Sequence, residues 1–261
     1  MNLNRREFLI YTSAGMALTA IPVFLAGAQK EQRWCRAVAF DSFVIFDPRP
    51  VFTLAENLFP SRGNELSTLW KTRQFEYTWL RTLSGRYTDF PSITRDALVF
   101  AAKSLKIDLK PDQKEQLMQG YFHLKIWPDV VPALRQLRDA GIKLGFLSNF
   151  SEAMLAANLK SSGLEGLFDQ VLSTDRVKAF KPDRRAYQMG IDAFRLKRAE
   201  VAFAAFAGWD AAGAKSFGYP TLWVNRLDSP EEELDAHADA IGGMSDLAKF
   251  ASRLLKNSQN V

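Results

Sequence analysis

One cysteine and two histidines stand among 261 residues, and that scarcity closes off several kinds of chemistry. A lone Cys35 permits no intrachain disulfide and no cysteine-based metal cluster, so it reads as an ordinary thiol. His123 and His237 are too few imidazoles for a zinc site or a Ser-His-Asp triad. Charge is not concentrated either. The net +5 is dispersed among acidic residues, as in "LRQLRDAGIK" and "RLKRAEV", without a basic block or an interleaved aromatic ladder. Nucleic acid is therefore not an expected partner, and a small anion suits the mild basic excess better. Internal repeats and low-complexity tracts are also missing. The composition that remains, 47% hydrophobic and 24% charged, is globular and supports one large core or a core with a smaller domain.

Residues 1–28 are of a different kind. In "NRREFLI" Arg5 and Arg6 precede an apolar run that ends on the small residues "AGA" at 26–28. The order Arg-Arg-x-Phe-Leu is more specific than hydrophobicity alone and reads as a twin-arginine signal. That reading implies the twin-arginine translocation machinery as a partner during export and the periplasm as destination. The alternatives are an ordinary secretory signal and an uncleaved membrane anchor, since the run approaches bilayer-spanning length.

From residue 36 the chain alternates short apolar runs with amphipathic stretches, which predicts an α/β fold: a Rossmann-like, doubly wound parallel sheet covered by helices. Strand candidates are 36–41, 142–149, 169–174, 201–207 and 221–225, with a last short strand and helix in the tail. Helix-like stretches separate them. Ser151 is a candidate N-cap, Pro182 is expected to open the helix after Lys181, and Gly218 ends "DAAGAKSFG". Residues 51–125 contain no strand-like run and read as several amphipathic helices inserted after the first strand. The expected organisation is a core of 36–50 and 126–250 with a helical cap of 51–125.

Ligands of open parallel sheets bind outside the carboxyl ends of the strands. The polar residues at those ends are Asp41, Ser148 with Asn149, Lys181 and Asp210. Singly, each has a plain structural explanation as a cap, a turn or a surface charge. Together and in this order, in "FDSFVIFD", "LSN", "KPD" and "WDAAGA", they resemble the four motifs of the haloacid dehalogenase superfamily. The stretch "QFEYTWLRTLSGRYTDF" (74–90), with "KPDRRAYQ" and "GWDAAGAKSFGYPTLWVNR", is more narrowly similar to the L-2-haloacid dehalogenases. The resemblance spans about residues 36–245.

This resemblance implies hydrolytic dehalogenation of short-chain (S)-2-haloalkanoic acids through an ester on Asp41, with Lys181 as its cationic partner and Asp210 as the third catalytic residue. Ser148 and Asn149 would hold the substrate carboxylate. Phe90 and Trp209 would supply aromatic surface around the halide, Tyr187 matches the tyrosine after the lysine motif, and Lys71 or Arg73 would stand for the cap arginine. No cofactor and no metal are implied, although Asp41 and Asp210 could weakly hold an ion; a homodimer is. The superfamily's phosphatases carry a second aspartate two residues after the nucleophile, where this chain has Phe43. The sequence also departs from the dehalogenase pattern: Val44 and Ile45 replace Gly-Thr, Ala205, Phe206 and Ala207 replace Ser-Ser-Asn, and Lys71 replaces arginine. A catalytically degraded anion-binding protein, or less readily a phosphatase, are the alternatives.

Overall fold

The computed structural model describes residues 35–256; the candidate export signal with Arg5 and Arg6 lies outside them. The chain enters through β1 (Ala37–Phe40), buried throughout. Alternate side chains of a strand face opposite ways, so Val38 and Phe40 join the larger core while Ala37 and Ala39 join the smaller one. One helical turn, α1 (Ser42–Ile45), and a short strand, β2 (Phe46–Asp47), follow. Next come α2 (Arg49–Leu58), α3 (Gly63–Leu83), α4 (Phe90–Ser104) and α5 (Pro111–Gly120). Strand β3 (Lys125–Ile126) then pairs antiparallel with β2, Phe46 opposite Ile126.

The rest alternates regularly: α6 (Val130–Asp139), β4 (Lys143–Ser148), α7 (Glu152–Ser161), β5 (Gln170–Ser173) and α8 (Arg184–Phe194). It continues with β6 (Val201–Ala205), α9 (Gly208–Phe217), β7 (Thr221–Val224), β8 (Ala240–Gly242) and α10 (Leu247–Lys256).

The main sheet has six strands in the order β5-β4-β1-β6-β7-β8, every pair parallel. The chain builds β4 and β5 on one side of β1 and then crosses to build β6, β7 and β8 on the other. The switch in direction falls at β1, which opens a crevice at its carboxyl end. Phe40 is in register with Phe146 of β4 and Ala204 of β6, so the three central strands end nearly level there.

Local chemistry explains the boundaries. Ser151 caps α7 by accepting from the Met154 amide, and Asp89 caps α4 by accepting from Ser92. Gly218, at φ 108°, closes α9 in the left-handed conformation. Gly63 marks a close approach of α2 to α3: a Cβ there would lie 2.4 Å from the Glu56 Cα. Along α3, Leu66, Trp70, Gln74 and Thr78 recur at four-residue intervals and are all buried, forming the helix's inward stripe.

The α/β architecture is as expected, and each strand candidate is present within a residue or two of its expected limits. Pro182 is a correction. It does not open a helix, because Asp183 is the N-cap, accepting from the Arg185 amide, and α8 begins at Arg184. Asp210 likewise sits in the first turn of α9, inside the helix.

Candidate active site

Asp41 is the residue at which β1 becomes α1. Its amide still donates to Ala204 of the neighbouring strand (3.0 Å), while its side chain caps the turn by accepting from the Phe43 amide through Oδ1 (2.9 Å). The stretch after it is therefore helical. Val44 and Ile45 lie in this turn without a positive φ, so the backbone here makes no demand for glycine. Four residues are too few to satisfy their own carbonyls. Partners come from far along the chain: Trp127 Nε1 donates to Phe43 O (2.9 Å), Arg226 Nη2 to Val44 O (2.9 Å) and the Trp127 amide to Ile45 O (3.1 Å).

Lys181 is fully buried, and its ammonium donates to Asp41 Oδ2 (2.7 Å) and Asp210 Oδ2 (2.6 Å). Its own amide is held by Asn149 Oδ1 (3.0 Å), which ties the loop after β5 to the end of β4. Burial alone would strip its proton, but the two carboxylates outweigh that and raise its pKa above the ordinary lysine value. Burial pushes the Asp210 carboxyl up to about 6, although Lys181 and the Tyr187 hydroxyl pull it down. Tyr187 donates to Asp210 Oδ1 (2.7 Å), and its own pKa is raised by burial and by that carboxylate, so it remains a neutral donor. The positive charge between the two aspartates is thus the lysine's.

A cavity of about 180 Å³ opens in front of Asp41, bounded by the ends of β1, β4 and β6 and by α2, α3 and α4. Ser148 accepts from Ser42 Oγ (2.6 Å) and from the Phe150 amide (2.9 Å). With both lone pairs engaged, its own proton is left over as a donor. Asn149 spends its Oδ1 on Lys181, which leaves its Nδ2 donor for the cavity that it lines. Aromatic rings line it too: Phe43 packs edge-on to Phe150 (5.1 Å between centroids) and tilted against Phe206 (5.6 Å), Phe90 lies 5.5 Å from Phe150, and Trp209 packs against Phe75 (5.4 Å).

Of the sequence-derived candidates, Asp41, Ser148, Asn149, Phe90, Trp209, Asp210 and Lys71 line this cavity, and Lys181 lies behind Asp41 and Asp210. Tyr187 touches Asp210 without lining it. Lys71 is exposed, its ammonium 4.6 Å from the Phe52 ring centroid. Arg73 is a correction: it pairs with Glu76 (2.7 Å) and stacks on Phe100, outside the cavity. Helical spacing explains this, because Lys71, Gln74 and Phe75 share a face at i, i+3 and i+4 whereas Arg73 does not. The same spacing marks Gln74 as a missed lining residue. Arg49 and Tyr121, also missed, line it as well. Arg49 is a cation at the start of α2, held by Asp47 (2.7 Å) and stacked on Trp127.

The Asp41 carboxylate thus lies at the sheet's switch point, bridged by Lys181 to the Asp210 carboxylate, with residues of α2, α3 and α4 lining the cavity in front of it. The family model for haloacid dehalogenase-like hydrolases matches residues 36–218, and the chain belongs to that family. Among its relatives, the (S)-2-haloacid dehalogenase of Pseudomonas sp. (strain YL) is 39% identical over 207 residues, which are 79% of this chain and 89% of that protein. The crystal structure of the L-2-haloacid dehalogenase RSc1362 superposes with a TM-score of 0.81 at 42% identity, covering 84% of this chain and 99% of that one. The L-2-haloacid dehalogenase of Xanthobacter autotrophicus with chloropropionic acid covalently bound superposes with a TM-score of 0.77 at 31% identity, covering 84% and 98%.

Proposed function

We propose that this chain hydrolyses the carbon-halogen bond of short-chain (S)-2-haloalkanoic acids, releasing halide and the (R)-2-hydroxy acid. In the first step an Asp41 carboxylate oxygen attacks C2 in line; the carbon-halogen bond breaks and the halide leaves with the electron pair. In the second, water attacks Cγ of the Asp41 ester, the acyl-oxygen bond breaks, and the carboxylate is regenerated with release of a proton. Because water attacks Cγ, C2 is inverted once and S becomes R. Ser148 Oγ–H and Asn149 Nδ2 hold the substrate carboxylate, Lys181 donates to Asp41 as its counter-charge, and Phe90 and Trp209 surround the departing halide with Lys71 at the cavity mouth. Asp210, itself held by the Tyr187 hydroxyl, holds the lysine in place.

The observation that carries this reading is a carboxylate fixed by an amide and an ammonium in a cavity that Phe43, Phe90, Phe150, Phe206 and Trp209 line. A halide leaves without protonation, and Phe43 stands where a phosphatase needs its general acid, packed between Phe150 and Phe206. Chloride release from (S)-2-chloropropionate tests it, and no release above an Asp41→Asn control counts against it. A second reading, an anion-binding protein that has lost turnover, is favoured by Ala205, Phe206 and Ala207, which bring no hydroxyl or amide side chain to the site. An ester that forms and persists would mark that outcome.

We further take residues 1–28 as a twin-arginine signal and the periplasm as the site of action, on the Arg5-Arg6 pattern. Delivery that survives Arg5→Lys with Arg6→Lys would contradict it. Association as a homodimer follows from the family resemblance and is read by sedimentation.

A further inference from the structure

We propose that Trp127 is a positioning residue for the Asp41 nucleophile, acting through the helical turn that follows it; this rests on the reading of Asp41 as the attacking group. Phe43 is the hinge of that turn. Its N–H donates to Asp41 Oδ1 (2.9 Å), and its carbonyl, on the other side of the same Cα, accepts from the Trp127 indole N–H (2.9 Å). The Trp127 amide takes the Ile45 carbonyl (3.1 Å) and Arg226 takes the Val44 carbonyl (2.9 Å). Three successive carbonyls that a single turn cannot satisfy are thus held by two residues from outside it.

The indole is itself held. It is buried, the Arg49 guanidinium carbon lies 4.4 Å from its ring centroid and that of Arg226 lies 4.6 Å away. Arg226 is anchored in turn by Asp129 (3.0 Å). Arg49 lines the cavity and Trp127 follows β3, so both connections between the sheet and the helical insertion meet at this ring. The direction of the Asp41 carboxylate is consequently set by a tryptophan that touches neither the cavity nor the carboxylate.

Trp127→Phe keeps a ring under the guanidiniums and removes the indole donor. The expected result is faster hydrogen exchange at the Phe43 amide with no change in β4, and kcat for chloride release from (S)-2-chloropropionate down about tenfold with KM within about twofold. A structural role alone would lower the folded fraction and leave both the exchange of the folded protein and kcat per folded molecule unchanged. Arg226→Met, which removes the donor to Val44 O, is the second variant, with a smaller effect in the same direction. Unchanged exchange at residues 42–46 in either folded variant overturns the proposal. Faster exchange in a protein whose wild type releases no chloride upholds the positioning of Asp41 and instead overturns the dehalogenase reading.

Discussion

Replacing Lys181 by methionine keeps an unbranched chain of similar length in a fully buried slot and deletes the charge that faces both Asp41 and Asp210. Removing one partner of a buried ion pair costs about 3–5 kcal/mol at neutral pH, because the remaining charge is left uncompensated. Here two carboxylates are left, and for a chain of this size the loss corresponds to a fall in Tm on the order of 10 °C. The pH dependence gives the sharper signature. In the variant, burial raises the Asp210 carboxyl pKa without the opposing pull of Lys181, so the folded state binds a proton more tightly and stability returns as pH falls. In the wild type Lys181 has a raised pKa, so its contribution is complete below the ordinary lysine pKa and is lost only as pH rises through the folded value. Urea denaturation of both proteins is expected to show a gap that is widest near about pH 7 to 8 and narrows toward about pH 5. A variant as stable as the wild type at neutral pH, or a gap that does not narrow on acidification, would refute the assignment of Lys181 as the counter-charge of both aspartates.

Other consequences are simpler to read. Since the Asp210 carboxyl titrates at about 6, a proton enters the Asp41-Lys181-Asp210 cluster below that pH, and chloride release is expected to lose activity on the acid side with an apparent pKa near that value. Tyr187→Phe removes a hydrogen bond that lowers the Asp210 pKa, so the acid limb should move to higher pH while stability falls by about 1–2 kcal/mol; an unmoved limb contradicts the coupling. Gly63→Ala places a methyl 2.4 Å from the Glu56 Cα, a backbone atom that cannot swing aside, and is expected to cost about 1–3 kcal/mol in urea denaturation.

The site was legible in the sequence where chemistry sits at strand ends. β1 and β4 are short apolar runs that stop at polar residues, and a parallel sheet gathers those stops at one edge, which groups Asp41 with Ser148 and Asn149; Asp210 joins them from the first turn of the helix after β6. The turn after Asp41 was not legible. Phe43, Val44, Ile45 and Phe46 favour extended structure by propensity, and the turn is held by Trp127, 84 residues away from Phe43, and by Arg226, 182 residues from Val44. No local signal reports such contacts. The β2-β3 pair escaped for the same reason, being two residues on each side joined across the whole helical insertion. Arg73, two residues from Lys71, faces another side of α3 and lies outside the cavity, and the helical period favours Gln74.

Attack on carbon by Asp41 is a covalent event and leaves a mass on the protein. The most direct test is to mix the protein with (S)-2-chloropropionate, quench with acid within a turnover, digest, and weigh the peptide that contains residues 37–45. That peptide is expected to gain the mass of a 1-carboxyethyl group, with the label mapping to Asp41 and absent from Asp41→Asn. Chloride release with no adduct at Asp41 at any quench time, or an adduct on another residue, would contradict it.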